Sequence, residues 1–339
     1  MGHRSCLLLL YLLCACLSAG CKGAKPPADI RLTKDNAGQV TSIMMVGKLV
    51  TDSDLRDASK HPLLTELKLQ ECSQVTNKGL SELGGAIAKL NVLDVVRVAF
   101  DDSSMKDLAN ASALTDLTLA NSSVTGAGLE QLASCPLKRL VIFSRVATVE
   151  GMKSLSKLNS IEELEIQCQD LFLKDLTGIG ELKKLKKLIA YRTPVGSGGM
   201  EAIQGLVELQ WLHLNSNDVN DGSLTALNTL TGLERLDLDN ARFTDEGIKG
   251  LRLPNLKHLS LDGCIGITDA GLANFSGMPA IESLMLGGTG VAGIDLTPLS
   301  NLPNLKEVRL LGNQFRGNDD SIRALKAKLP NCEVVIMRG

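Results

Sequence analysis

The chain has 339 residues, 44% of them hydrophobic but only 3% aromatic, and a formal net charge of −2 from 36 Lys+Arg against 38 Asp+Glu. That near-balance lacks the basic footprint a nucleic-acid partner requires. The aliphatic bias suits a stack of small similar layers better than one large enzyme core, and such an array is one continuous domain at any length.

Residues 1–20 read as an export signal. His3 and Arg4 form a short polar start, and Leu7 to Leu17 an apolar run of about eleven residues, too short for a bilayer that needs roughly twenty. Small residues then precede a cysteine in Leu17-Ser18-Ala19-Gly20-Cys21. This resembles a bacterial lipobox, although Ser18 stands where leucine is commoner. The resemblance implies cleavage before Cys21, lipidation of its thiol and a stable anchor from several acyl chains. An ordinary secretory signal is the other reading. Lys22 to Gln39, with Pro26-Pro27, reads as a polar tether.

From Val40 onward one phrase recurs. A first strand is expected over Val40–Val46, and L-x-L pairs or conservative replacements begin at Leu67, Leu93, Leu117, Leu140, Leu164, Leu188, Leu212, Leu236, Leu259, Leu284, Val308 and Val334. Their spacing is 23 to 26 residues, which marks a solenoid of about 13 rungs. Alternation along a strand sends both leucines of each pair inward and the residue between them to the solvent face. Five residues after the first leucine stands Cys72, Asn217, Cys264 or Asn313, with Ser122, Thr193 and Thr289 in the same slot elsewhere. The rungs at Leu140 and Leu188 lack the Asn or Cys, so irregularity is expected there. Thr-Asp-x-Gly-Leu phrases such as Thr244-Asp245-Glu246-Gly247 and Thr268-Asp269-Ala270-Gly271-Leu272 pair a helix N-cap with helical leucine spacing. The array closes on the strand Glu333–Met337, leaving its last layer open.

Leu256-Lys257-His258-Leu259-Ser260-Leu261-Asp262-Gly263-Cys264 fits L-x-x-L-x-L-x-x-N/C at every fixed position and resembles the leucine-rich repeat family, in its cysteine-containing or bacterial subclass. The resemblance covers residues 40–339. It implies an α/β horseshoe with a parallel sheet on the concave face, short helices on the convex face, binding of another protein and no catalysis. Strands stack at about 4.8 Å and helices at about 8–10 Å, which bends the stack.

The candidate ligand-binding residues are the concave ones of the middle rungs: Phe143, Tyr191, Trp211, His213, Asn215, Arg235, Asp237, Asp239 and Asp262. Trp211 is the only tryptophan, and aromatics turned away from a core are favoured interface anchors. Asp237, Asp239 and Asp262 read as an acidic face. Lys183, Lys184, Lys186 and Lys187 read as a solvated loop cluster. Cys72, Cys135, Cys168, Cys264 and Cys332 read as reduced packing residues, since no C-x-x-C occurs after Cys21. Neither a metal site nor a cofactor fingerprint emerges. The repeat resemblance together with the export signal implies another protein of the envelope as the partner, with the lipid anchor as the only membrane contact. A carbohydrate or peptidoglycan ligand stacking on Trp211 and Tyr191 is the alternative, as is a plain secreted binding protein.

Overall fold

The computed structural model describes residues 28–168, 170–195, 198–214, 218–313 and 319–336. The signal segment, Cys21, Asn215 and Asn217 lie outside the described residues. The architecture follows from the L-x-L pairs. Strands β1 (Asp29–Lys34), β2 (Val40–Val46), β3 (Glu66–Gln70), β4 (Val92–Val96), β5 (Asp116–Ala120), β6 (Arg139–Phe143) and β7 (Glu163–Gln167) open the sheet. It continues through β8 (Lys187–Ala190), β9 (Trp211–Leu214), β10 (Arg235–Asp237), β11 (His258–Ser260), β12 (Ser283–Met285), β13 (Glu307–Leu310) and β14 (Glu333–Ile336). All fourteen lie side by side in chain order in one sheet.

From β2 onward the pairing is parallel and each paired leucine sits opposite its counterpart, as in Leu212, Leu236 and Leu259 across β9, β10 and β11. These leucines are essentially unexposed and stack into one continuous core. The thirteen parallel strands are the thirteen rungs expected from the spacing. From β2 onward the connections return through short α or 3-10 segments, such as Asp245–Lys249 and Asp269–Gly277, except that between β8 and β9, which shows only turns among the described residues, and the one before β14, which carries the ten-residue helix Asp319–Lys328. Among the described residues no helix is long and apolar enough to cross a membrane.

The tether reading of 22–39 needs correction. Residues Asp29–Lys34 form β1, which pairs antiparallel with β2, Ile30 against Met45 and Leu32 against Ile43. The turn is made by Asp35, whose carboxylate accepts from the backbone of Ala37 and Gln39 at 2.9 Å each, and by Gly38 at φ 79°. A two-residue apolar alternation was too short to announce a strand.

What holds one rung to the next is more specific than leucine burial. The Asp that follows the capping Thr or Asn of one rung accepts from both the backbone N–H and the hydroxyl of the Thr one rung on. Asp52 does so to Thr76 at 2.8 Å for both bonds, Asp221 to Thr244 at 2.6 and 2.9 Å, and Asp245 to Thr268 at 2.9 and 2.7 Å. That Thr then caps its own short helix, Thr268 accepting from Ala270 N–H. The lock also explains the Gly of Thr-Asp-x-Gly. A Cβ on Gly271 would lie 2.0 Å from Asp245 Oδ1, and one on Gly247 2.5 Å from Asp221 Oδ1.

The Asn/Cys slot works as expected where it is described. Cys72 and Cys264 donate their thiols to Met45 and Leu238 carbonyls of the preceding rung at 3.4 and 3.1 Å. Asn313 accepts from Gly288 N–H and donates to the Val291 carbonyl. Ser122 does not reach a partner. The irregular rung is the one at Leu140, where Ser144, one position early, donates to the Val124 carbonyl. At Leu188 the regular geometry is kept, because Thr193 accepts from Cys168 N–H at 3.0 Å.

The lock is testable. Gly271→Ala should destabilise the fold by about 1–3 kcal/mol in urea unfolding, the usual cost of overpacking. Combining it with Asp245→Ala should cost less than the two single changes summed, because removing the carboxylate makes room for the methyl.

Candidate functional site

Alternate residues of each strand face away from the leucine core, and in the middle rungs they form one connected surface. On the leading positions of β6 to β10 stand Arg139, Glu163, Lys187, Trp211 and Arg235, brought level by the register. Beneath them lie Val141, Glu165, Ile189, His213 and Asp237. Of these, Val141, Glu165, Ile189 and Asp237 are buried. This departs from the expectation that the residue within L-x-L faces solvent. Long side chains converge over a parallel sheet lining a concave face, and the flanking Arg, Lys and Trp close over the shorter residues.

Trp211 is the centre of the cluster. Lys187 Nζ lies 4.6 Å from its ring centroid and Arg235 Cζ lies 4.8 Å from it. These cations come from β8 and β10, the strands on either side of β9, so the indole is held between two positive charges. Its Nε1–H donates to Asp237 Oδ2 at 2.9 Å. Arg235 Nε donates to the same oxygen at 2.8 Å, and His213 Nδ1 stands 3.6 Å from it. Burial opposes ionisation of Asp237, but the imidazole of His213, the guanidinium of Arg235 and the indole outweigh it, so its carboxyl is held below the usual aspartate range.

On the other flank Glu165, with a side chain only 5% exposed, is approached by Arg139 Nη2 and Lys187 Nζ, each at 3.3 Å. Lys187 is therefore not part of a solvated loop cluster. It is the first residue of β8, 17% exposed, and ties the Glu165 pair to the tryptophan. Farther along the strands, Tyr191 meets Phe143 edge to face, with centroids 6.4 Å apart at 84°, and lies 5.1 Å from His213. Phe143 and Tyr191 belong to the rungs of β6 and β8, so the rings lean toward each other across the β7 rung.

The acidic face is not what three aspartates suggested. Asp237 is 3% exposed and serves as the acceptor hub. Asp239 Oδ1 accepts from Ser260 Oγ at 2.6 Å and from Asp262 N–H at 3.2 Å, and Asp262 Oδ1 accepts from Gly287 N–H at 2.7 Å. Burial lifts the Asp262 carboxyl, the Gly287 N–H only partly offsetting it, and the charge of Asp239 adds to the rise. These two carboxylates tie strand exits together. Asn215 lies outside the described residues. A residue the alternation did not single out is Asp94, in the middle of β4, where burial raises its carboxyl against the charges of Lys68 and Arg139 and one oxygen has no partner.

Other chemistry is sparse. Among the described residues no group of three His, Cys, Asp or Glu side chains converges as a metal site would require. The five described cysteines are free and buried. Burial pushes Cys72 up to about 11 and Cys168 and Cys264 up to about 12, which suppresses the reactive thiolate. A groove of about 480 Å³ on the loop edge is lined by Ile265, Thr289, Val291, Ala292 and glycines, with no ionisable group.

No family model matches the chain. A Caenorhabditis elegans protein named "Putative RNA-binding protein EEED8.10" is 24% identical over 294 residues, which are 78% of this chain but only 35% of that protein. The chain thus spans little more than a third of that relative's length. Among solved structures, the internalin inlF of Listeria monocytogenes matches 90% of this chain and 92% of its own, with TM-score 0.59 and 18% identity. The leucine-rich-repeat protein LIC12759 of Leptospira interrogans matches over 85% and 81%, with TM-score 0.52 and 17% identity. TLR13, solved as a complex with ssRNA13, matches over 83% of this chain and 50% of its own, with TM-score 0.51 and 17% identity. The fold is the leucine-rich-repeat solenoid.

Two measurements follow. A carboxyl held below its ordinary range contributes stability above that range and loses it as pH falls through the lowered value. Emission from Trp211, the sole tryptophan, should therefore stay constant as pH falls to about 4, the ordinary aspartate value, and shift only below it. Asp237→Asn should shift it already at neutral pH. Second, iodoacetamide followed by mass spectrometry should leave Cys72, Cys135, Cys168, Cys264 and Cys332 unmodified in the native protein and label all five in denaturant.

Proposed function

We propose that this chain is an exported, lipid-anchored binding protein that engages another protein through the concave face of its solenoid. The leucine-rich-repeat fold supports the coarse reading, a protein-interaction scaffold without catalytic machinery. The observation that carries the finer one is the clamped Trp211 cluster. Two cations, a hydrogen bond to Asp237 and the adjoining Tyr191–His213–Phe143 contacts fix its side chains before any partner arrives. Side chains already fixed cost less entropy on association, and Trp, Tyr and Arg are the residue types that dominate protein interfaces.

The clamp also weighs the alternative ligands. A sugar ring stacks on an open aromatic face, and the Trp211 ring already carries the Lys187 and Arg235 cations, 4.6 and 4.8 Å from its centroid. An RNA backbone needs surplus positive charge. Here Arg139, Lys187 and Arg235 are matched by Glu163, Glu165 and Asp237. A protein surface of mixed character fits both facts. The anchor rests on the Leu17-Ser18-Ala19-Gly20-Cys21 phrase, which would leave Cys21 acylated and the solenoid at an envelope surface.

The test is an affinity capture from envelope extract of the source organism, comparing the wild-type chain with a Trp211→Ala/Tyr191→Ala double mutant of unchanged circular dichroism. A protein retained by the first and lost by the second is the expected result; equal retention would remove the cluster from the interface. In the same cells Cys21→Ser should move the protein from the membrane to the soluble fraction and abolish acyl-chain incorporation.

A further inference from the structure

The three cations of the concave cluster are not equally committed. Arg139 faces Glu163 and Glu165, and Lys187 faces the same two carboxylates, so both are neutralised inside the sheet. Arg235 differs. Only its Nε is hydrogen-bonded, to Asp237, while its Cζ lies 4.8 Å from the Trp211 ring centroid and the side chain stays 48% exposed. Asp237 is shared with the Trp211 indole, so it holds the arginine at Nε and leaves the two terminal nitrogens of the fork without a hydrogen-bond partner among the described residues. Next to them, in register on β11, stands the exposed His258. The nearest aspartate of the same strand face that is not already an acceptor for Arg235 is Asp239, four residues on, roughly 13 Å along an extended backbone. It is occupied with Ser260 and Asp262.

A guanidinium anchored at Nε presents its remaining donors as a fixed planar pair, the geometry that a carboxylate meets with two parallel hydrogen bonds. We propose that the partner of the concave face docks a peptide segment bearing an aspartate or glutamate side chain, whose carboxylate binds the free fork of Arg235 beside His258. The inference rests on the protein-binding reading above and names the chemistry of its ligand. Charge complementarity selects this occupant: Arg235 is the cation of this row whose terminal nitrogens have no partner among the described residues, and a carboxylate is the protein group that satisfies both at once.

The experiment is selection of random peptides displayed on phage against the immobilised full chain. Selected peptides should share one Asp or Glu at a fixed position. Replacing that Glu by Gln should weaken binding to wild type about tenfold or more, as expected for loss of a charge-assisted pair. Binding to Arg235→Gln should already be weak and insensitive to the same peptide change. Arg235→Lys should fall between, having the charge without the fork, and His258→Ala should weaken binding less than Arg235→Gln. Selected peptides without a shared acid, or an equal Glu→Gln effect on wild type and Arg235→Gln, would overturn the carboxylate assignment. Peptides that depend on Trp211 but carry no acid would do so while leaving the protein-binding reading intact. Failure to select any peptide also counts against a peptide-borne carboxylate, and the extract capture decides the broader reading independently.

Discussion

A carboxylate in one rung that holds the backbone and hydroxyl of the next is the interaction on which this solenoid depends. A single rung cannot bury its two leucines or satisfy the first N–H groups of its short helix. Stacking buries the leucines, but burial alone tolerates sliding. The bond pair from Asp245 to Thr268, with the missing Cβ of Gly271 leaving room for it, fixes where the next rung sits. Sheet register follows from that placement, and the concave surface follows from the register. The recurring phrase Thr-Asp-x-Gly is thus three roles in one motif: a helix cap, a clamp on the following rung and a clearance for the clamp from the preceding one.

The concave cluster shows how such an array builds a polar site without a pocket. Glu165 and Asp237 are buried charges that would be costly alone. Glu165 is neutralised from both adjacent strands by Arg139 and Lys187, and Asp237 by Arg235 of its own strand with the indole and imidazole of β9 beside it. Trp211 then joins the two charge groups, its ring beside one cation from each. The result is a continuous strip across five rungs whose side chains hold one another in place. Side chains that already hold one another in place suit recognition, because little of their freedom remains to be lost on binding.

Much of this was legible in the chain. The L-x-L pairs repeat so closely that thirteen parallel strands and their interior residues can be read off by counting, and the slot filled by Cys72, Cys264 and Asn313 behaves as its chemistry requires. Other features were illegible for a definite reason. Alternation says which face Glu165 or Asp237 points to, but not that side chains about two dozen residues away in sequence will close over them. Lys187 looked like the end of a lysine-rich loop because its role depends on Trp211, which is local only in space. β1 was missed because Ile30 and Leu32 are too few to set a period; the Asp35-Asn36-Ala37-Gly38 turn was the available signal. The three aspartates read alike as residues and differ entirely as groups, since their acceptors and neighbours lie on other rungs.

The aspartate locks are not spread evenly. They run from Asp52 through Asp102 to the rung of Thr125, and again from Asp221 through Asp245 to Asp269. Between those stretches, among the described residues, neighbouring rungs are joined by leucine packing, by backbone bonds such as Thr148 N–H to the Thr125 carbonyl, and by single side-chain bonds such as Val195 N–H to Asp218 Oδ1 at 3.1 Å and Ser160 Oγ to the Leu137 carbonyl. The paired carboxylate-to-threonine lock therefore belongs, among the described residues, to the two arms, and the rungs behind β6 to β8 of the strip are joined by single bonds. Such a solenoid behaves like two stiff segments joined by a softer spring. Its bore can open or tighten by small rotations at the centre while each arm keeps its shape, so that the most pliant part of the backbone lies behind the most tightly clamped side chains.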